Sequence, residues 1–260
     1  MRMSARTYVL AGIAVLFRAS AALAMTVTLQ QGLNGYAGTT DAWLDESSYR
    51  HNNGGSIDLR VQWYNGRSDC TDLKFDLAAR IPAGSTIESA TLTLWYQECG
   101  SMSNDNAVTI KPFRLQPSAW WDENIYDDVN GYGVSYKFRD ANETYQWTGG
   151  VDGGWSDKID DGNGVNKIKK TGATPPDAVE PQNFISWDVT PSVRQWVAGQ
   201  TNNGFLLVAT DFVGSGNIAW GIFRSRHDSG VYYCPALVIT YDTPVPVLKS
   251  TWGGIKNLYR

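Results

Sequence analysis

Apolar and polar residues alternate with a period of two along much of this chain. Ile57, Leu59 and Val61 share one parity; so do Leu73, Phe75 and Leu77, and so do Ala90, Leu92, Leu94 and Tyr96. The alternation returns at Val108 with Ile110, at Ile218, Trp220 and Ile222, and at Leu237, Ile239 and Tyr241. Residues 205–208 form a short continuous apolar run instead. Successive side chains of a strand point to opposite faces, so each set can line one interior. Many short strands separated by turn residues predict an all-β fold: two antiparallel sheets packed as a β-sandwich or jelly roll.

One short helix interrupts the pattern. Thr190 suits an N-cap, Pro191 the first helical position and Gly199 the stop. Val193, Trp196 and Val197 then recur at helical spacing and would plug one end of the sandwich. Asn202-Asn203-Gly204 turns the chain back into the apolar run at 205. Residues 125–182 carry no such order and are rich in Gly, Asp, Asn and aromatics. Long irregular stretches within a compact domain are usually functional or disordered. This one reads as an insertion on the sandwich, ordered in part by Tyr132, Tyr136, Trp147 and Trp155.

The ends read differently from the middle. Arg2 and Arg6 precede an apolar run over 8–17, and Ala22-Leu23-Ala24 has the small-x-small form of a cleavage site, so residues 1–24 read as a secretory signal. The run is too short to span a bilayer, and no later segment is apolar for long enough. The expected organisation is a signal at 1–24, a sandwich at 25–243, and a linker and tail at 244–260. Pro244 and Pro246 stiffen that linker. Trp252, Ile255, Leu258 and Tyr259 recur near helical spacing in a tail too short to fold alone, which reads as an attachment or self-assembly element.

Charge and cysteine content then narrow the function. Removing 1–24 takes three arginines from 22 basic residues and nothing from 26 acidic ones, so the formal charge moves from −4 to about −7. A nucleic-acid partner needs a basic face and is disfavoured. Three cysteines, Cys70, Cys99 and Cys234, would meet an oxidising compartment, where an odd number permits one bridge and one spare thiol. If the strands flanking Pro82-Ala-Gly84 are antiparallel neighbours, Cys70 and Cys99 fall nearly opposite with outward parity, and a disulfide is expected. A connection crossing between sheets would remove it.

No catalytic constellation emerges. Asp122 and Glu123 follow two tryptophans, but adjacent residues of an extended chain point to opposite sides, whereas glycosidase carboxylates must face each other across a bond. No G-x-S-x-G elbow occurs. Asp157, Asp160, Asp161 and Asn163 make an oxygen-rich loop that calcium could use, although its spacing misses the EF-hand pattern and a solvated acidic loop is the competing reading. Asp41 with Asp45 is a second candidate of the same kind. Trp43, Trp121, Trp187 and Trp196 read as core. Trp95 has the parity of Thr91 and Thr93 and should leave the sandwich outward, while Trp63, Tyr64, Trp147 and Trp155 fall in apparent loops. Aromatics outside an alternating core often mark a ligand or a covering segment.

Taken in order, the landmarks resemble the DNRLRE domain family of secreted β-sandwich modules. They are Asp41-Ala-Trp-Leu44, Asn53-Gly54, Leu73-Lys-Phe-Asp-Leu77, Ile81-Pro82, Ser89-Ala90-Thr-Leu92 and Trp121-x-Glu123. Trp187-Asp-Val-Thr190, Trp196, Asn202-Asn-Gly-Phe205, Phe223-Arg-Ser-Arg226 and Pro235-x-Leu237-x-Ile239-x-Tyr241 complete the set. The chain departs from the family's pattern at residues 124–127 and at His227, where an acidic residue is frequent. The resemblance implies non-catalytic binding of an extracellular polysaccharide, acidic ones included. Trp63, Tyr64, Trp95, Trp147 and Trp155 are then the expected contacts, and Arg60, Arg67 and Arg139 the expected source of positive charge. A structural subunit or adhesin of an extracellular assembly is the alternative.

Overall fold

A computed structural model describes residues 24–64, 68–78, 80–101, 107–124, 126, 129–130, 133–169, 184–213 and 218–243. Residues 1–23 and 244–260, Arg67 and Tyr132 lie outside them, as do the side chains of Tyr64 and Cys99. The fold is a two-sheet antiparallel β-sandwich. In chain order its strands are β1 (Ala24–Gln30), β2 (Thr39–Leu44), β3 (His51–Asn52), β4 (Asp58–Tyr64), β5 (Cys70–Phe75), β6 (Thr86–Ser101) and β7 (Ala107–Leu115). They continue with β8 (Val129–Asn130), β9 (Lys158–Ile159), β10 (Asn166–Lys169), β11 (Phe184–Asp188), β12 (Phe205–Val213), β13 (Ile218–Arg224) and β14 (Ala236–Asp242). Helix α1 (Thr190–Val197) sits between β11 and β12.

The first sheet runs β1-β14-β6-β13-β4 with β11 also on β6; the second runs β10-β7-β12-β5-β2 with β9 on β7. Thr93 pairs with both Ala236 and Ser186, so β14 and β11 flank β6 on opposite sides. The small pair β3-β8 stands apart from both sheets. Among the described residues no helix is long and apolar enough to cross a membrane.

The predicted alternation builds the main core. Leu59 and Val61, Leu73 and Phe75, Ala90 to Tyr96 in steps of two, Val108 and Ile110, and Leu237 to Tyr241 in steps of two all pack into it. In β13 the parity is the reverse of that expected. Ala219 and Phe223 face the core, while Trp220 and Ile222 are only half-buried. Between them Gly221 leaves room for the Phe223 ring, which a Cβ there would meet at 3.3 Å. Ile57, placed by parity with Leu59, lies outside its strand and is exposed.

The run at 205–208 reads as continuous because β12 is covered on both faces. Phe205 and Leu207 enter the main core; Leu206 and Val208 enter a second one on the outer side of the sheet. Ala42, Leu44, Cys70, Phe113 and Leu115 extend that outer face, and Trp121, Val134, Tyr136 and Trp147 cover it. Residues 133–157 of the expected insertion are therefore a packed layer and not a free loop, while its β9 and β10 join the second sheet on β7. Gly153 shows how closely the layer sits: at φ +57°, a Cβ there would meet the Tyr136 ring at 2.7 Å and Cys70 Sγ at 2.9 Å.

Two local expectations are corrected. Thr190 is the first helical residue and not the cap; its hydroxyl accepts the Ala90 N–H at 2.8 Å, while Asp188 Oδ1 accepts the Thr190 N–H at 2.9 Å. The Cys70–Cys99 bridge rested on β5 and β6 being neighbours. The Pro82–Gly84 connection crosses between sheets instead, leaving β5 in one and β6 in the other. Cys70 is a free thiol buried in the second core, its Sγ 3.4 Å from the Gly153 carbonyl oxygen.

Candidate functional site

Sequence alone set aside five aromatics, and the fold sorts them. Trp147 is 2% exposed and donates its Nε1–H to the Ser135 carbonyl at 2.9 Å, a core residue of the covering layer. Trp95 does leave the sandwich outward, as its parity requires, yet is only 6% exposed. Phe184, Tyr232 and Tyr233 cover it, with ring centroids at 5.0, 5.9 and 4.6 Å. Tyr64 is described by its backbone alone, paired with Ile218. Trp63 and Trp155 remain half-buried at the surface.

Those two meet. Trp63 and Trp155 line one open cleft of about 460 Å³ with Ser68, Tyr136, Val151, Asp152 and Thr210. Trp63 comes from the end of β4 and packs on the margin of the main core, while Trp155 comes from the insertion and packs on the second. Asp152 is fixed by accepting the Gly154 and Ser156 N–H groups, both at 3.0 Å. Lys158 Nζ lies 4.2 Å from the Trp155 ring centroid and donates to the Trp155 carbonyl, and burial pulls its ammonium below the ordinary lysine range. Burial also pushes the Tyr136 hydroxyl up, keeping it a neutral donor and acceptor. The cleft thus offers two indoles, a phenol, hydroxyls and one oriented carboxylate. A second cleft, of about 400 Å³, lies between residues 76–83 and the end of α1, where Leu77, Ile81 and Trp196 make it mostly apolar.

Sequence reasoning missed a further exposed pair. Trp120 is 38% and Tyr145 49% exposed, their centroids 5.0 Å apart, with Arg139 Cζ 5.6 and 6.0 Å from the two rings. The signal was available: Trp121 was read as core, and its neighbour on an extended chain must face the other way. Arg60 lies 4.7 Å over Trp43, which is half-buried and not core as expected.

The acidic loop does not converge on one centre. Asp157 is buried and accepts Thr148 N–H at 2.8 Å and its Oγ1 at 2.5 Å. Asp160 pairs with Lys111 at 2.6 Å, which holds its carboxyl below the usual range. Asp161 receives both arms of Arg114, at 2.6 and 3.1 Å, and the Ser192 hydroxyl at 2.8 Å. Asp45 turns onto Ser47, away from any shared role with Asp41.

Asp41 belongs instead to a buried charge centre assembled from three distant segments. Glu123 Oε1 accepts the Asp41 N–H at 2.9 Å, and Asp41 Oδ2 accepts the Arg226 N–H at 2.7 Å. Arg226 donates Nε and Nη2 to the two Glu123 oxygens, each at 2.5 Å. His227 Nε2 stands 3.6 Å from Glu123 Oε1. Burial, with the Glu123 charge second, pushes the Asp41 carboxyl up to about 7. Asp122, next to Glu123, is exposed, so the two carboxylates point apart. Gly54 makes room for this turn: a Cβ there would lie 2.1 Å from the Asn124 and 2.4 Å from the Glu123 carbonyl oxygen. No protein-family model matches this chain, and no curated protein matches it either.

Proposed function

We propose that the chain is an exported, non-catalytic carbohydrate-binding module whose site is the cleft between Trp63 and Trp155. The observation that carries this reading is their convergence. Two half-buried aromatics, Trp63 from a strand of the sandwich and not from the loop expected of it, and Trp155 from the covering layer, line one open groove beside a carboxylate held in fixed orientation. Indole faces stack on the C–H surfaces of sugar rings, while Asp152, Tyr136, Ser68 and Thr210 can engage hydroxyls; binding sites combine apolar walls with a few placed polar groups in this way. The resemblance to the DNRLRE family supports the same class of ligand.

The cleft favours a neutral glycan over an acidic one. Asp152 lies in its wall, Lys158 is engaged with Trp155, and the chain itself is acidic. Affinity electrophoresis of the chain lacking residues 1–24, through gels containing neutral or acidic polysaccharides, tests the reading. Retardation by a neutral polysaccharide that falls about tenfold in Trp63→Ala and in Trp155→Ala supports it, a loss of roughly 1.4 kcal/mol each. No retardation in any gel, or retardation that both variants keep, overturns it.

A further inference from the structure

The buried centre holds two side-chain atoms left without hydrogen-bond partners among the described residues. Asp41 is 1% exposed and its Oδ1 meets no hydrogen-bond partner among the described residues; the same is true of His227 Nε2. Leaving a carboxylate oxygen buried and unpartnered is costly. Ligand atoms of Asp41, Glu123 and His227 all lie within 4.8 Å of one another. We propose that these three residues form a structural binding site for a divalent cation of the zinc class.

Distance favours a metal ion over a bare proton. His227 Nε2 and Glu123 Oε1 are 3.6 Å apart, too far for a hydrogen bond. Two ligands of a tetrahedral zinc, each about 2.0–2.2 Å from the metal, stand roughly 3.4 Å apart. Donor chemistry selects the class. An imidazole nitrogen with carboxylate oxygens suits zinc, whereas calcium and magnesium take oxygen ligands. Charge agrees as well. Arg226 directs both of its donated side-chain bonds to Glu123 and gives Asp41 only its backbone N–H, so a bound cation would draw the Asp41 carboxyl into its ionised form. Glu123 Oε1 accepts from Asp41 N and Arg226 Nε, so to join Asp41 Oδ1 and His227 Nε2 on the ion it would give up one of these bonds, with Arg226 keeping its second arm on Oε2.

The ligands arrive on rigid supports. Asp41 lies within β2, and Glu123 is fixed by its bonds to the Asp41 N–H and to Arg226. The His227 N–H donates to Ser225 Oγ at 3.0 Å, and that hydroxyl donates to the Ser56 carbonyl. A metal here would staple the second sheet, the entry to the insertion and the turn after β13. The site stands apart from the Trp63–Trp155 cleft and shares no residue with it.

The test uses the untagged chain lacking residues 1–24, stripped with chelator, incubated with zinc chloride and desalted. Elemental analysis should find one zinc ion per chain, and the thermal transition should rise on zinc addition and return with chelator. Cobalt substitution should give the visible absorption of a four-coordinate site. His227→Ala and Asp41→Asn should each lose the metal and the zinc-dependent shift, while melting in chelator near the wild-type temperature. Cys234→Ser should keep both, since the nearby thiol is not a ligand. No zinc on the wild type, zinc retained by either ligand variant, or zinc lost in Cys234→Ser alone overturns the proposal.

Discussion

Arg226 reaches back 103 residues to grip Glu123 with two parallel hydrogen bonds, each 2.5 Å long. The pair ties the turn after β13 to the entry of the insertion, and only 7% of the Glu123 side chain is exposed. In that setting each charge depends on the other, because removing one strands its partner in a poorly solvated site. Arg226→Leu should therefore cost on the order of 3 kcal/mol in metal-free buffer, a drop of roughly 10 °C in Tm for a domain of this size. Glu123→Gln with Arg226→Leu should recover part of the loss. A double-mutant cycle in urea checks this; purely additive effects would mean that the two side chains act independently.

Trp147 and Trp155 lie eight positions apart in the same insertion and should respond oppositely to truncation. Trp147 fills the second core and anchors its indole on Ser135, so Trp147→Ala opens a cavity worth about 3–5 kcal/mol. Trp155 is half-buried at the cleft, and its truncation should leave most of the stability intact while weakening ligand binding. Chemical denaturation of the two variants separates these roles. Equal destabilisation would place Trp155 in the core.

These contrasts mark where the sequence was legible. Period-two alternation assigned most of the inner faces correctly because large apolar residues filled them. It failed in β13, where Ala219 and Gly221 face inward so that Phe223 can fill the space, and the bulkier Trp220 and Ile222 misled. Parity placed Trp95 outward, but its cover comes from Phe184, Tyr232 and Tyr233, far along the chain. The double-faced burial of β12 was visible as an unbroken apolar run, though not what lay over it. Nothing local said that the Pro82–Gly84 connection changes sheets, and so the cysteine pairing went wrong. Of the cleft, Trp63 and Trp155 are legible as candidates, but their meeting depends on strand order. The Asp41–Glu123–Arg226–His227 centre was illegible for the same reason, since three segments distant in sequence must converge before its chemistry exists.

Cys70 should behave as a protected thiol. Burial, followed by the Asp72 and Asp69 charges, pushes its thiol well above the ordinary range, so little reactive thiolate forms at neutral pH. Iodoacetamide applied to the native chain should leave Cys70 unmodified, and the same reagent in denaturant should label it. Peptide mapping reads the result, and rapid labelling of Cys70 under native conditions would show that the covering layer opens readily.

The dependence of stability on pH turns on Asp72. Its carboxyl is buried in the outer face of β5, neither oxygen finds a hydrogen-bond partner among the described residues, and the Asp157 carboxylate lies close enough to repel it. Burial first, and Asp157 second, push it well above the usual carboxylate range. Asp69 is raised to about 6 by burial and by the Asp45 charge. Both groups bind their proton more tightly folded than unfolded, so stability falls as pH rises wherever the native state holds the extra proton. The contribution is fully present below the unfolded value, near 4, and is lost upward through the folded values: by about 6 for Asp69, and higher for Asp72. Asp72→Asn removes one of these protons without changing side-chain size much. Relative to wild type, the variant should melt at a similar temperature near pH 4 and become progressively the more stable protein towards pH 8. The gap should reach several degrees, since each pH unit of unequal protonation is worth about 1.4 kcal/mol. Thermal melts of the two proteins in chelator across this range decide it: curves that stay parallel would mean that Asp72 is ionised in the native fold.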